Sequence, residues 1–96
     1  MKEREYMLSL YVIYNRLLTE KEKNYFEYYF YEDYSLQEIA DNNKVSKSYV
    51  GKYLNGIAIK LKRFEKALSL YEKNKKIKEI IIDLDVDTKT KIEELL

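Results

Sequence analysis

The sequence predicts an all-α protein: a small helical bundle containing a helix-turn-helix, a long following helix and a helical C-terminal tail. Three observations carry that expectation. Proline is absent and only two glycines occur in 96 residues, which favours helices joined by short polar connections. Apolar side chains recur at three- and four-residue spacing, the period of one helix face. Two capping boxes, Thr19-Glu20-Lys21-Glu22 and Ser35-Leu36-Gln37-Glu38, stand directly before such stretches. With 46% hydrophobic and 36% charged residues the chain is globular, and its length suits one core, to which eleven tyrosines bring bulk.

The first helix is expected from about Glu3 to Leu18, with Met7, Leu10, Tyr14 and Leu17 on its apolar face. Thr19 then caps a second helix, Glu20 to about Glu32, whose Tyr25, Phe26, Tyr29 and Phe30 form an aromatic core face. Ser35 caps a short third helix, Leu36 to about Asn42, burying Leu36, Ile39 and Ala40. Ser46 caps a fourth a few residues later. So tight a connection, with small Ala40 at the crossing and Val45, Val50 and Leu54 as apolar pins, is a helix-turn-helix pattern. The left-handed turn position falls on Lys44 beside Asn42 and Asn43. Asparagine tolerates that conformation better, so a rearranged turn is expected.

From Val50 the apolar residues Leu54, Ile57, Leu61, Phe64, Leu68 and Tyr71 follow in alternating steps of four and three. That seven-residue repeat suits packing against one partner helix, either the first helix of the same chain or a second copy in a homodimer. Gly51 and the turn dipeptide Asn55-Gly56 interrupt it, so either the helix breaks near Gly56 or the glycines mark close backbone contacts. Residues 1–72 are expected to form the helix-turn-helix domain. Residues 73–96 form a Lys-rich hinge, Lys73 to Lys78, and a helical tail containing Ile80-Ile81-Ile82, Ile92, Leu95 and Leu96.

The absences exclude whole classes of function. Without cysteine or histidine there is no disulfide framework, no thiolate or imidazole metal site and no cysteine or histidine catalyst. The carboxylates are scattered, and no glycine loop would cradle a phosphate, so neither an enzyme nor a cofactor is expected. Asp83, Asp85, Asp87 and Glu94 imitate a calcium-loop spacing, but Thr88 occupies the glycine position and lysines intrude, so no metal is expected. No apolar run reaches the roughly 18 residues of a membrane span. The charged opening from Met1 to Tyr6 is not followed by a signal-peptide core, and a cytoplasmic protein is the expectation.

The net charge of +1 hides a strong asymmetry. Residues 44–78 carry eleven Lys/Arg against Glu65 and Glu72, whereas the flanking segments are each net −4. A basic block between acidic flanks is a candidate polyanion footprint, and equally the wet face of long helices. If nucleic acid binds, the exposed face of the helix after Ser46 should carry it. Lys47 and Lys52 would neutralise phosphates, Ser48 and Asn55 would meet base edges beside Gly51, and Tyr49 would stack or touch a thymine methyl. Lys44, Lys60 and Lys62 would add phosphate contacts.

These residues also carry a resemblance. Leu17-Leu18-Thr19-Glu20-Lys21, Tyr28-Tyr29, Glu32-Asp33, Ser35-Leu36-Gln37-Glu38-Ile39-Ala40, Ser46 and Val50 resemble the YlxM-like family, with Phe64-Glu65 and Leu68 in the same register. The resemblance covers roughly residues 8 to 70. Members are small bacterial helix-turn-helix proteins similar to the promoter-reading C-terminal domain of sigma factors. Their genes lie beside those of the signal recognition particle GTPase and its receptor. The resemblance therefore implies a non-enzymatic accessory or regulator of protein targeting, with DNA, the particle's RNA or a targeting-machinery protein as partner. The family's recognition helix usually begins Ser-Arg-Gln-Ala-Val and continues with a Lys-Arg pair. Here it reads Ser46-Lys47-Ser48-Tyr49-Val50, with Asn55-Gly56 in place of the pair. Losing arginine's two-pronged fork weakens the case for base-specific reading. The alternative is a protein-interaction or homodimerisation module using the seam from Val50 to Tyr71.

Overall fold

A computed structural model describes residues 2–96, with side chains from Glu3 onward. Six helices follow one another, with no strand among the described residues: α1 Lys2–Tyr14, α2 Glu20–Phe30, α3 Leu36–Asn43, α4 Lys47–Leu68, α5 Leu70–Ile80 and α6 Val86–Glu93. None is long and apolar enough to cross a membrane.

The starts of α2, α3 and α4 follow from their caps. Thr19 Oγ1 accepts from the Glu22 amide at 3.1 Å while the Thr19 amide donates to the Glu22 carboxylate at 2.8 Å. Ser35 and Glu38 repeat the arrangement at 3.0 and 2.8 Å. Ser46 Oγ accepts from the Tyr49 amide at 3.0 Å. Each box satisfies two donors that a helix N-terminus otherwise leaves unpaired.

The first helix ends earlier than its periodicity suggests. After Tyr14 the chain tightens into a 3-10 turn, Asn15–Leu17, while the Asn15 side-chain Nδ2 donates to the Tyr11 and Val12 carbonyls at 2.9 and 3.1 Å. That turn rotates Leu17 into solvent and buries Leu18 in its place. The apolar face is therefore Met7, Leu10, Tyr11, Tyr14 and Leu18.

The core lies where α4 crosses α1, α2 and α3. Leu10, Ile39, Ala40, Val50 and Leu61 are completely buried, with Tyr14, Phe26 and Ile57 at about one percent exposure. Tyr11 stacks on Phe26 with centroids 4.1 Å apart, and Phe26 on Phe30 at 4.3 Å. The aromatics of α2 are thus core pieces, each ring removing a large apolar area from water.

Helix α4 runs unbroken through Asn55-Gly56. Neither glycine marks a tight contact. A Cβ at Gly51 would meet only Leu36 Cδ1, at an ordinary 3.9 Å, and one at Gly56 would meet nothing within 4 Å. The chain bends instead at Ser69, which is left-handed at φ 56 and ψ 29, and Lys73 to Lys78 lie inside α5 rather than in a hinge. The seven-residue seam divides accordingly. Val50, Ile57 and Leu61 are buried, and Leu54, Phe64 and Tyr71 are partly buried against the same core, within one chain. Leu68, at 45% exposure, is left outside.

Ser69 makes no side-chain cap for α5. Glu65, a turn earlier on α4, takes over that task. Its carboxylate accepts from the Tyr71 amide at 3.0 Å, the Glu72 amide at 3.2 Å and the Tyr14 hydroxyl at 2.6 Å. The Tyr14 hydroxyl in turn accepts from the Leu70 amide at 3.1 Å. Every buried side-chain polar atom among the described residues has a partner.

Candidate nucleic-acid interface

Helices α3 and α4 form the helix-turn-helix, and its turn is a Schellman closure. Lys44 takes the left-handed conformation itself, at φ 57 and ψ 44. The Val45 amide donates to the Ala40 carbonyl at 3.1 Å and the Lys44 amide to Asp41 at 3.4 Å. The asparagines do not displace it: Asn43 remains helical and its side chain donates to the Ile39 carbonyl at 2.8 Å. The turn keeps its standard geometry with lysine at a position that favours glycine, and it throws the Lys44 side chain into solvent.

Lys47 and Ser48 open α4 and are exposed, as are Lys52 and Asn55 on the next turns. Ser48, Lys52 and Asn55 follow at four- and three-residue spacing and so share one wet face. Among the described residues, Lys44, Lys47 and Lys52 make no ion pair. The turn and the first turns of α4 therefore present three unneutralised cations.

Three other expected contacts are engaged within the chain. Lys60 Nζ binds the Glu22 carboxylate at 2.9 and 3.1 Å, tying α4 to α2. Burial of Glu22 works to raise its pKa, but the Thr19 amide and the Lys60 ammonium outweigh it and hold the carboxyl below its usual value. Lys62 pairs with Glu3 of α1 at 2.8 Å. Tyr49 is 37% exposed, but its hydroxyl accepts from Lys21 Nζ at 2.7 Å and its ring stacks on Tyr53 with centroids 5.7 Å apart.

That contact belongs to a feature the sequence reading missed. Lys21 Nζ lies 5.8, 5.2 and 5.0 Å from the ring centroids of Tyr25, Tyr49 and Tyr53, inside the range of cation–π attraction. The hydrogen bond with Tyr49, assisted by the surrounding rings, keeps the ammonium pKa above its ordinary value. Two signals were present, Lys21 with Tyr25 and Tyr49 with Tyr53, each four apart on a helix. Their meeting depends on how α2 crosses α4, which no spacing within one helix encodes.

The constellation can hold anions through its cations. The described residues contain no acidic cluster able to hold a metal ion, and Asp85 instead caps α6, accepting from the Thr88 amide at 3.0 Å.

A family model described as "Putative helix-turn-helix protein, YlxM / p13 like" matches residues 1–95. A UPF0122 protein of Ureaplasma urealyticum is 45% identical over 74 residues, which is 77% of this chain and 75% of the relative. One from Fusobacterium nucleatum is 39% identical over 90 residues, covering 92% and 86%. One from a Geobacillus species is 39% identical over 78 residues, covering 81% and 71%.

Proposed function

The chain belongs to the YlxM/p13-like helix-turn-helix family, and from that premise we propose that it is a non-enzymatic nucleic-acid-binding accessory protein whose contact surface is the start of α4. The observation that carries this reading is the cluster of exposed, carboxylate-free cations Lys44, Lys47 and Lys52 around the helix-turn-helix turn. Lys44 and Lys47 bind phosphates at the turn, and Lys52 extends the contact one helical turn along α4. Ser48 lies between Lys47 and Lys52 and Asn55 just beyond Lys52, positioned for hydrogen bonds to base edges or sugars. Lys60 and Lys62 serve the fold first, through Glu22 and Glu3. Tyr49 acts through its ring edge rather than as a free stacking plate.

Lysines in place of arginine forks favour recognition of backbone shape over base sequence, which suits structured RNA at least as well as an operator. A role in protein targeting, with the signal recognition particle's RNA as ligand, rests on the family resemblance. On this reading residues 1–72 carry the binding domain and residues 73–96 an appended helical arm. The test is a salt series of binding to duplex DNA and to that RNA. Lys47→Glu with Lys52→Glu should abolish binding to the preferred ligand while the helical circular dichroism stays unchanged. Absence of binding to either nucleic acid at low salt would sink the reading.

A second reading is favoured by the apolar residues of the arm. Ile80, Ile82, Leu84, Val86 and Leu95 are all exposed, and Leu70, Leu95 and Leu96 border an open groove with Val12 and Ile13 of α1. Such a surface fits a protein partner or a second copy. Sedimentation of the wild type against Val86→Lys with Leu95→Lys distinguishes this reading: an unchanged monomer mass with no partner captured would leave the arm without a role.

A further inference from the structure

We propose that the nucleic-acid contact extends beyond the helix-turn-helix along the groove between α2 and α4, where Lys21, Lys52 and Arg63 form a track for one phosphodiester strand. The inference rests on the nucleic-acid reading above and adds two residues, Lys21 and Arg63, that lie outside the helix-turn-helix surface. Its ligand chemistry is the phosphate backbone, supplied by either DNA or RNA.

Three observations carry it. First, Lys21 is a cation held in place without a carboxylate. The rings of Tyr25, Tyr49 and Tyr53 surround its Nζ, and the Tyr49 hydroxyl takes one of its three N–H donors. An ordinary surface lysine loses much rotamer freedom when it binds a phosphate; Lys21 is already ordered, and its remaining donors are available. Its charge is also intact, because aromatic rings and a hydroxyl do not neutralise an ammonium as Glu22 does Lys60.

Second, the groove beside the cage is basic and open. Lys52, Tyr53, Gly56, Ile59 and Arg63 line it with the Glu22–Lys60 pair, so Tyr53 is shared between cage and groove. Lys52 and Arg63 are eleven residues apart on an unbroken helix, which is three turns and about 16 Å. They therefore sit on one face, far enough apart for each to meet a different phosphate of one strand. The one carboxylate in the groove, Glu22, is already paired by Lys60, so the groove keeps a net positive charge.

Third, Gly56 lines this groove, and no packing contact in the fold uses it. It is helical, exposed, and a Cβ there would meet nothing within 4 Å. Glycine is disfavoured in a helix interior, and no packing contact within the chain requires it. A strand passing along the groove would use the missing side chain, because its backbone could approach α4 more closely there.

The experiment measures the dependence of affinity on salt for duplex DNA and for the targeting particle's RNA, with wild type, Lys21→Gln, Lys21→Arg, Arg63→Gln and the Lys47→Glu control. Each phosphate contact removed should lower the slope of log affinity against log salt by about 0.7–0.9. The Lys21→Gln and Arg63→Gln slopes should each fall by that amount, additively when combined, while Lys21→Arg stays near wild type. Arg63 makes no ion pair among the described residues, so its variant tests the track even if the cage variant perturbs folding. The preferred ligand separates the DNA source from the RNA source. If Lys47→Glu abolishes binding but neither Gln variant alters the slope, the track is overturned and the helix-turn-helix reading survives. If wild type binds neither ligand, both fall together.

Discussion

The Tyr14 hydroxyl donates to Glu65 Oε1 at 2.6 Å, across 51 residues of sequence, and joins the end of α1 to the bend between α4 and α5. Burial and the Glu65 carboxylate both push the Tyr14 hydroxyl pKa upward, so the phenol stays protonated and remains a donor. Glu65→Ala would leave Tyr14 and the amides of Tyr71 and Glu72 short of their acceptor. The expected cost is about 2–3 kcal/mol, read as a lowered urea midpoint and a melting temperature reduced by roughly 10 °C or more. Tyr14→Phe should cost less, about 1 kcal/mol, because only one donor is removed, although the Leu70 amide then loses its acceptor. A double-mutant cycle on the pair should give a coupling energy clearly different from zero; strict additivity would show that the bond contributes nothing.

Gly56→Ala should raise stability by about 1 kcal/mol, the helix-propensity difference, since the added methyl meets open space. The urea midpoint should rise with an unchanged m-value.

Lys44→Gly should relieve left-handed strain of roughly 1–2 kcal/mol while adding about 0.4–1 kcal/mol of unfolded-chain entropy, a net gain of up to about 1.6 kcal/mol. The same substitution removes a proposed phosphate contact. Stability and affinity for nucleic acid should therefore move in opposite directions, and a melting curve beside an anisotropy titration would reveal it.

Glu22 makes folding sensitive to acid. Its carboxyl is held below the ordinary value of 4.5, so the stability it contributes is complete above about pH 4.5 and is lost as the pH falls through the lower folded value. Glu22→Gln should flatten that part of the stability profile. It should also free Lys60, raising affinity for polyanions at low salt.

Thr19→Ala and Ser35→Ala should each cost about 1 kcal/mol through loss of the cap. The Ser35 variant should also weaken nucleic-acid binding, because α3 sets the position of the turn that carries Lys44.

Most of the architecture was legible because its determinants are local. Thr19-Glu22, Ser35-Glu38 and Ser46 name helix starts within four residues, and Ala40 with Val50 names the crossing. The miss at Leu17 and Leu18 came from one 3-10 turn, which shifts the apolar face without altering its composition. Glu65 was hidden for a different reason. A charged residue beside Phe64 reads as solvent-facing until the bend brings Tyr14 and two amides to it. The candidate site was legible only as a set of exposed positions. Whether Lys60 and Lys62 were available depended on Glu22 and Glu3, which lie far away in sequence, and the Lys21 cage depended on two helices meeting.

The left-handed residue at Ser69 has a consequence for how the repeat beginning at Val50 is expressed. With ordinary helical angles there, α4 and α5 would form one rod about 50 Å long, with the apolar stripe from Val50 to Tyr71 along part of one side. Such rods zip to other rods, and their pairing grows stronger with each added heptad. One residue of opposite handedness turns the chain after Leu68, so that Tyr71 meets Tyr6 edge-on at 5.4 Å. The direction of α5, and with it the place of Tyr71, therefore rests on the sign of one backbone angle and on the buried carboxylate that holds the start of that helix.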